Sequence, residues 1–386
     1  MGLYLYIPCN GTTKINQMKK MYLKYALGMS FMMLFCFVNV SAQLDLPRGS
    51  QMAKVSQRVG ITDISIEYSR PSVNDREVWG KLVPYGMNNL GFGTAKESPW
   101  RAGANENTII KFDDDVKVEG KDLAAGKYGL HMVIHEDNKA TIIFSKNYKA
   151  WGSYFYEPSA DALQVDVNMT NAPHTEQLTF DFYDVSANSA IASLSWGEKK
   201  IPFKIEVDVA NVVLADIRTK LENSPGFTRQ TWEQAANFSL NNGGDLDEAL
   251  RWIDATIAGQ FFSQKTFNNL GIKSRILAKQ GKTGEASTVM DEAMEYATIF
   301  ETHGYGRQLI GQGNKEKAMK IFKMNAKKNK GQWPVDFGLA RGYSALGNYK
   351  TALKHLQIAA KRAPDQPNKD AIAGFLEKLK KGEDIN

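Results

Sequence analysis

The sequence has almost no cysteine. Cys9 and Cys36 are the only two among 386 residues, and both lie within the first 42. Once those residues are removed, a disulfide, a thiol nucleophile and a cysteine-ligated metal site are all excluded. The patterns Gly-x-Ser-x-Gly and His-Glu-x-x-His are also missing, as is a phosphate-binding loop. The sequence therefore carries no recognisable catalytic signature, and we expect a protein that is not an enzyme and needs no cofactor or metal.

Residues 1–42 have the pattern of an export leader behind an upstream extension. Three lysines within residues 19–24 precede an apolar stretch at residues 26–40, and Val40-Ser41-Ala42 supplies the small residues of a cleavage site. A single membrane anchor is the alternative, but the apolar run is short for a span. We therefore expect cleavage after Ala42, a periplasmic or secreted protein, and no transmembrane span in the product. The remaining 344 residues are enough for two domains.

Charge is divided unevenly along this remainder. Residues 43–210 hold 18 basic and 23 acidic residues, net −5, whereas residues 211–386 hold 26 and 19, net +7. The basic residues are too scattered to indicate nucleic-acid binding. The asymmetry distinguishes an acidic first half from a basic second half.

The first half has the alternation of β-strands. Apolar residues recur at every second position in several short segments, separated by Gly and Asn. The pattern predicts strands around residues 62–68, 108–112, 116–119, 128–135, 141–145, 163–169, 178–182 and 201–209. Many short strands with one polar face favour an antiparallel β-sandwich or barrel-like domain over residues 43–210.

The segment from Tyr68 to Thr108 does not alternate. It contains Tyr-Ser-Arg-Pro at 68–71, Asp-Arg-Glu-Val-Trp-Gly at 75–80, Val-Pro-Tyr-Gly at 83–86 and Trp-Arg-Ala-Gly-Ala-Asn-Glu-Asn-Thr at 100–108. With Ala-Gly-Lys-Tyr at 125–128 and Trp-Gly-Ser-Tyr at 151–154, these motifs resemble domain-of-unknown-function family 2911 over about residues 44–208. The chain departs from the usual pattern by extra residues at 87–99. The resemblance implies a bacterial, mostly exported protein, often with a helical repeat behind this domain, and no established activity.

A long irregular stretch in a compact domain is either functional or structural. Arginines beside aromatic and amide side chains can bind a carboxylate, a phosphate or a sugar. The same residues can instead satisfy loop backbone groups, and this structural reading is the one we favour. The candidates for a small anionic or sugar ligand are Arg70, Arg76, Glu77, Trp79, Tyr85, Trp100, Arg101, Asn105 and Glu106. His131 and His135 share a strand face, and we expect them at the surface or an edge rather than at a metal.

The second half is helical and repetitive. The glycines Gly244, Gly281, Gly313 and Gly347 each precede an alanine by five residues, and these alanines are 37, 32 and 34 residues apart. A period near 34 is that of tetratricopeptide repeats, which these units resemble. We expect a connecting helix or linker at residues 211–226 and, at 227–386, repeats with a C-terminal capping helix.

Arg275, Arg307 and Arg341 each lie six residues before a repeat glycine. In tetratricopeptide-like hairpins this position faces the concave groove, so the three could form a basic stripe for an acidic peptide or a carboxylate. The alternative, which we favour, is that they are ordinary solvated or ion-paired arginines.

Together the patterns predict an α+β multidomain protein, with a β-sandwich followed by an all-α tetratricopeptide-like domain. The function they favour is that of an exported bacterial binding protein whose repeats dock a protein partner. The alternative is a secreted or envelope hydrolase, acting on a glycan or ester, with its site in the Arg70–Thr108 region.

Overall fold

The structure is a computed structural model that describes residues 1–3 and 46–386. The chain divides into two compact units, residues 1–51 and residues 52–386. The predicted leader and its cleavage site lie outside the described residues. The boundaries predicted at residues 210 and 226 remain predictions.

Ten strands of the described part form two antiparallel sheets. The six-stranded sheet has the order β1-β2-β3-β6-β7-β8 and the four-stranded sheet the order β5-β4-β10-β9, so neither closes on itself. The fold is thus a sandwich. The strands are β1 (Gln51–Val59), β2 (Thr62–Arg70), β3 (Ile109–Phe112), β4 (Val116–Val118), β5 (Lys121–Leu123), β6 (Gly126–Ile134), β7 (Lys139–Ser145), β8 (Asp161–Asn168), β9 (Thr170–Tyr183) and β10 (Ser189–Val207).

The core of the sandwich lies between the two sheets. Alternate residues of each strand point into it, as in β2, where Ile64 and Ile66 are fully buried. Phe112 and Phe144 from one sheet meet Phe203 from the other. Full burial of each such side chain contributes roughly 1.5–3 kcal/mol, so the alternation predicted from the sequence is the main determinant of this half of the fold.

Ten helices follow within the described residues. They are α1 (Val209–Leu221), α2 (Arg229–Asn241), α3 (Leu246–Ile257), α4 (Phe267–Lys279), α5 (Thr283–Tyr296), α6 (Ile299–Gly311), α7 (Lys315–Lys328), α8 (Trp333–Ala345), α9 (Tyr349–Arg362) and α10 (Gln366–Lys380). Helices α2/α3, α4/α5, α6/α7 and α8/α9 form hairpins, and α10 packs on the last of them.

Each hairpin turns at a glycine in the left-handed region, which suits glycine at a helix C-terminus. Gly281, Gly313 and Gly347 have φ values of 77–83°. In the first hairpin the left-handed residue is Gly243 (φ 77°), one residue before the repeat glycine Gly244. Gly244 packs against Ser239 instead, where a Cβ would lie 2.3 Å from the hydroxyl.

Helix α2 contacts α4, and α6 contacts α8, so first helices of neighbouring hairpins pack side by side at two of the three junctions. We call the layer formed by the first helices α2, α4, α6 and α8 the inner layer, which is the kind of surface that repeat proteins use for binding. Phe322 of α7 fills the space between hairpins, lying against Gly306 and Gly338.

None of the helices among residues 1–3 and 46–386 is both long enough and apolar enough to cross a membrane.

Candidate functional site

The irregular segment of residues 71–108 covers the outer face of the six-stranded sheet. Trp100 and Met132 exchange two backbone hydrogen bonds of 2.8 Å, and the amide of Gly86 donates to the carbonyl of Ile134 at 2.8 Å. The segment thereby continues the pairing of β6 beyond the end of β3. Met87 and Ala95 then pack on the outward side chains of this sheet. The segment belongs to the fold rather than projecting from it.

Three tryptophans join the segment to the second sheet. The ring of Trp100 stacks on that of Trp196 with centroids 5.9 Å apart, and Trp79 packs edge-on against both. Trp79 Nε1 also donates to the carbonyl of Trp196 at 3.3 Å. The predicted site tryptophans Trp79 and Trp100 are therefore part of the interface between the segment and β10.

The three arginines of the predicted ligand site donate to the protein's own groups. Arg70 binds the carbonyl of Leu178 at 3.0 Å and Thr179 Oγ1 at 2.7 Å. Arg76 bonds to the carbonyls of Val73 and Ser72 at 2.9 and 2.6 Å. These bonds fasten the start of the segment.

Arg101 has the same inward role. It donates to the carbonyl of Asn105 at 2.6 Å and lies over the ring of Tyr154, 5.1 Å from its centroid. A Cβ at Gly152 would come within 2.5 Å of the guanidinium, so glycine is needed there for this stacking. Hydrogen bonds to the protein's own groups are what a structural role of these arginines requires. A role in ligand binding remains a prediction.

The remaining predicted residues are spread over the surface of the segment. Glu77 pairs with Lys81 at 2.7 Å in an exposed turn, and Tyr85 lies over Gly80. Asn105 (φ 59°) and Glu106 lie in the short loop between Trp100 and Thr108. The structure thus brings together Trp79 with Trp100, and Arg101 with Asn105.

His131 is buried, and the prediction of a surface or edge position was wrong for it. Its side chain is 2% exposed, and Nδ1 lies 3.0 Å from Ser153 Oγ. Burial, and to a smaller extent Arg101, lowers the pKa of His131 to about 4, so the ring is neutral at pH 7. The prediction failed because the polar-looking face of β6 is covered by residues 84–107 and 146–156 rather than by water. The apolar Val133 and Ile143 on that face were the available signal.

In the half-exposed His135, Nε2 lies 3.0 Å from Thr141 Oγ1. Among residues 1–3 and 46–386, no three His, Cys, Asp or Glu side chains are grouped as a metal site requires.

The three arginines of the helical half lie on first helices, as their spacing predicted. Arg275 on α4 is exposed and donates to the amide oxygens of Asn237 and Asn241 at 3.0 and 3.2 Å. Arg307 on α6 is exposed. Arg341 on α8 is only 8% exposed, whereas a row of three solvent-exposed arginines was expected.

Two adjacent cavities lie along this inner layer, with Gln308 lining both. The first, of about 370 Å³, lies between the second and third hairpins and is lined by residues of α4, α5, α6 and α7 that include Arg275 and Lys317. The second, of about 600 Å³, is lined by Arg307, Lys315 and Arg341 together with Asp384 and Asn386. We call the two cavities the concave groove. Burial and the neighbouring Arg307 lower the pKa of Arg341 to about 10, so Arg341 is still charged at neutral pH.

Comparison with known proteins agrees with this division. Residues 50–205 match the family model described as Protein of unknown function (DUF2911). The DUF2911 region therefore coincides with the sandwich, as the motifs at 68–154 had indicated. No curated protein matches the chain.

Solved structures of tetratricopeptide repeat (TPR) proteins are neighbours of the helical part. YrrB, described as a TPR protein with an unusual peptide-binding site, is 18% identical with a TM-score of 0.28, covering 43% of this chain and 89% of its own. The C-terminal part of a TPR protein from Cytophaga hutchinsonii is 14% identical with a TM-score of 0.32, covering 45% and 70%. A TPR protein from Parabacteroides merdae is 14% identical with a TM-score of 0.30, covering 45% and 70%.

Proposed function

We propose that this is an exported bacterial binding protein whose helical repeats dock a protein partner in the concave groove. The observation that carries the proposal is the pair of adjacent cavities along the inner helices α4, α6 and α8. Adjacent cavities on a stack of helical hairpins form a surface onto which an extended segment can bind. The DUF2911 region would then be the accompanying scaffold, held together by its inward arginines.

The charges of the groove favour an acidic partner segment. Arg275 and Lys317 line the first cavity, and Arg307, Lys315 and Arg341 line the second. Asp384 is the acidic residue among those that line these two cavities. Arginine suits carboxylate recognition because its planar group can donate two parallel hydrogen bonds.

Charge reversal on the groove tests this proposal. Arg275→Glu with Arg307→Glu should reduce recovery of a co-purifying partner from an envelope extract at least tenfold. Lys323→Glu is the control, because Lys323 is exposed on the second helix α7 and reverses one charge away from the inner layer, as each of the two arginine changes does within it. Circular dichroism melting should stay within a few degrees for both. Equal recovery with both variants would overturn the proposal.

Export is a separate proposal that rests on the leader pattern at residues 18–42. Cell fractionation with N-terminal sequencing of the product tests it. A product that begins at Gln43 in the periplasm or medium is expected, and a full-length cytoplasmic product contradicts it.

A hydrolase is the second candidate, because Ser153 and His131 lie within hydrogen-bond distance beneath the irregular segment. A serine activated by histidine is the core of a nucleophilic site. Ser153 is 1% exposed, however, so a substrate reaches it only after residues 84–107 move. Turnover of ester or glycan substrates that is lost in Ser153→Ala would support this candidate, and no turnover by the native protein would contradict it.

A further inference from the structure

The segment after α10 turns back onto the inner layer of the repeats. Gly382 adopts a left-handed conformation (φ 74°), which reverses the chain, and the residues that follow run along α8. Ile385 is 3% exposed and packs in the cluster that contains Ala340 and Leu379. We call residues Asp384–Asn386 the tail segment.

The tail segment is held by alternating polar contacts to two residues of α8. Ser344 Oγ donates to Asp384 Oδ1 at 2.6 Å and accepts from the amide of Ile385 at 3.1 Å. Arg341 Nη1 donates to the carbonyl of Ile385 at 3.1 Å, and Asn386 Nδ2 donates to the carbonyl of Arg341 at 3.1 Å. Main-chain bonds, a carboxylate contact and a buried apolar side chain are how a bound peptide is held in a groove.

Two aromatic side chains hold Arg341 in position for this contact. Its guanidinium lies over the ring of Phe337 on α8, at 4.7 Å, and over that of Phe375 on α10, at 5.1 Å. Within the described residues, Arg341 Nε is buried and makes no hydrogen bond. The tail segment therefore uses only part of the donor capacity of Arg341.

The tail segment also forms a wall of the concave groove. Asp384 and Asn386 line the cavity of about 600 Å³ opposite Arg307 and Lys315. They cover the end of the groove at which Arg341 would otherwise meet the same ligand as Arg307. The tail segment thus covers one end of the concave groove, and the rest of the groove is open.

We propose that the tail segment is a tethered ligand that competes with the partner for the Arg341 end of the concave groove. The inference rests on the proposed function. It specifies the partner as a segment in which a carboxylate residue precedes a branched apolar residue, as Asp384 precedes Ile385. Since a short tether gives an effective concentration in the millimolar range, the tail segment lowers the affinity of a competitor without any further contact.

A peptide with the sequence of residues 382–386, fluorescently labelled at its amino end and amidated at its carboxyl end, is the probe. Fluorescence anisotropy should show binding to a chain shortened to end at Glu383 and at least tenfold weaker binding to the full chain. In the shortened chain, Arg341→Ala should abolish the binding, and Lys323→Glu should leave it unchanged. Equal affinity for the full and shortened chains overturns the proposal, as does no binding to a shortened chain that is folded.

Because Ile385 is buried, shortening could unfold the last hairpin, and a second experiment keeps the chain whole. Asp384→Lys places a cation beside Arg341, Arg307 and Lys315 and should release the tail segment. Hydrogen exchange at the Ile385 amide should then be at least tenfold faster, and probe affinity should rise to that of the shortened chain. Unchanged exchange and affinity overturn the proposal.

The two proposals fail separately. If Arg275→Glu with Arg307→Glu abolishes partner recovery but the probe does not bind the shortened chain, only the tethered-ligand proposal fails. If the probe binds as expected while partner recovery is insensitive to charge reversal, the docking proposal fails.

Discussion

At the scale of single residues, the side chains that look functional in the sequence are mostly used by the fold. Arg70, Arg76 and Arg101 all donate to backbone carbonyls. A guanidinium has five donors, so one arginine can fasten two turns of a loop. A sequence shows that an arginine is present but not which carbonyls lie near it, and the choice between a ligand and an internal partner therefore needs coordinates.

His131 should make the stability of the sandwich depend on pH. Its pKa is about 4 in the folded chain because of burial, against 6.5 in the unfolded chain. The unfolded state thus binds a proton more readily than the folded state does. The contribution of His131 to the free energy of unfolding is therefore complete above about pH 6.5 and is lost as pH falls towards 4. The difference corresponds to about 3 kcal/mol. Urea unfolding between pH 7 and 4.5, followed by tryptophan fluorescence, should show this loss.

The variant His131→Asn should reduce the pH dependence, because it removes the titrating ring and keeps a polar group beside Ser153. His174→Asn is the control for the same substitution at an exposed histidine, since His174 lies at the surface beside Glu176. Some dependence should remain in both, because burial also lowers the pKa of His303 to about 4. An unaltered slope in His131→Asn would show that this histidine does not titrate as its environment requires.

At the scale of elements, the sequence predicts most strands closely. The segments expected at 116–119 and 141–145 are β4 and β7. Sheet order could not be predicted, because β10 pairs with its chain neighbour β9 through residues 191–200 but also, through residues 205–207, with β4, which is distant in sequence. Period-two alternation identifies which face of a strand is apolar, but it contains no information on the neighbour.

The hairpin repeat was predicted from its alanines, and these confirm the register. Ala249, Ala318 and Ala352 are fully buried. The first hairpin has two consecutive glycines at its turn, and the left-handed one is Gly243 rather than the repeat glycine Gly244. The coverage of Arg341 was also unpredictable, since it depends on residues 384–386 more than forty positions away.

Close packing within the α6/α7 hairpin should make Gly306 intolerant of a side chain. A Cβ at this position would lie 2.4 Å from the ring of Phe322, which is fully buried and has no room to move. Overpacking of this kind costs roughly 1–3 kcal/mol. Gly306→Ala should therefore lower the thermal midpoint of the helical part, measured by circular dichroism at 222 nm.

Gly304→Ala provides the matched comparison in the same helix. Nothing lies within 4 Å of a Cβ at Gly304, so this variant should be stabilised by about 0.5–1 kcal/mol through helix propensity alone. A destabilised Gly306→Ala beside a stabilised Gly304→Ala would show that packing against Phe322, and not helix propensity, causes the loss of stability at Gly306. Two stabilised variants would instead mean that α6 and α7 can separate at no cost.

At the scale of the whole molecule, the change from strand to helix occurs over a single residue. Strand β10 ends at Val207, Asp208 caps the next helix through Asn211 N at 3.2 Å, and α1 begins at Val209. The sequence places this change near residue 210. What it does not show is that Val209 and Val212 pack against the core of the sandwich. The acidic DUF2911 region and the basic repeats are therefore joined by packing as well as by the chain.

Val209→Asp should loosen this junction. The Val209 methyl groups lie 2.6 Å from where a Cβ of Gly60 would stand, in the turn between β1 and β2. Aspartate at the first position of a helix is favourable for the helix itself, so any loss must come from placing a carboxylate against the apolar turn. We expect a destabilisation of about 1–3 kcal/mol. Hydrogen exchange should become faster in two places together, in α1 and in the turn at residues 59–62, because each protects the other.

Ala215→Asp, on an exposed position of α1, should affect neither place by more than a few tenths of a kcal/mol. If Val209→Asp accelerates exchange in α1 alone, the turn does not depend on the helix, and the repeats can change their orientation without disturbing the sandwich.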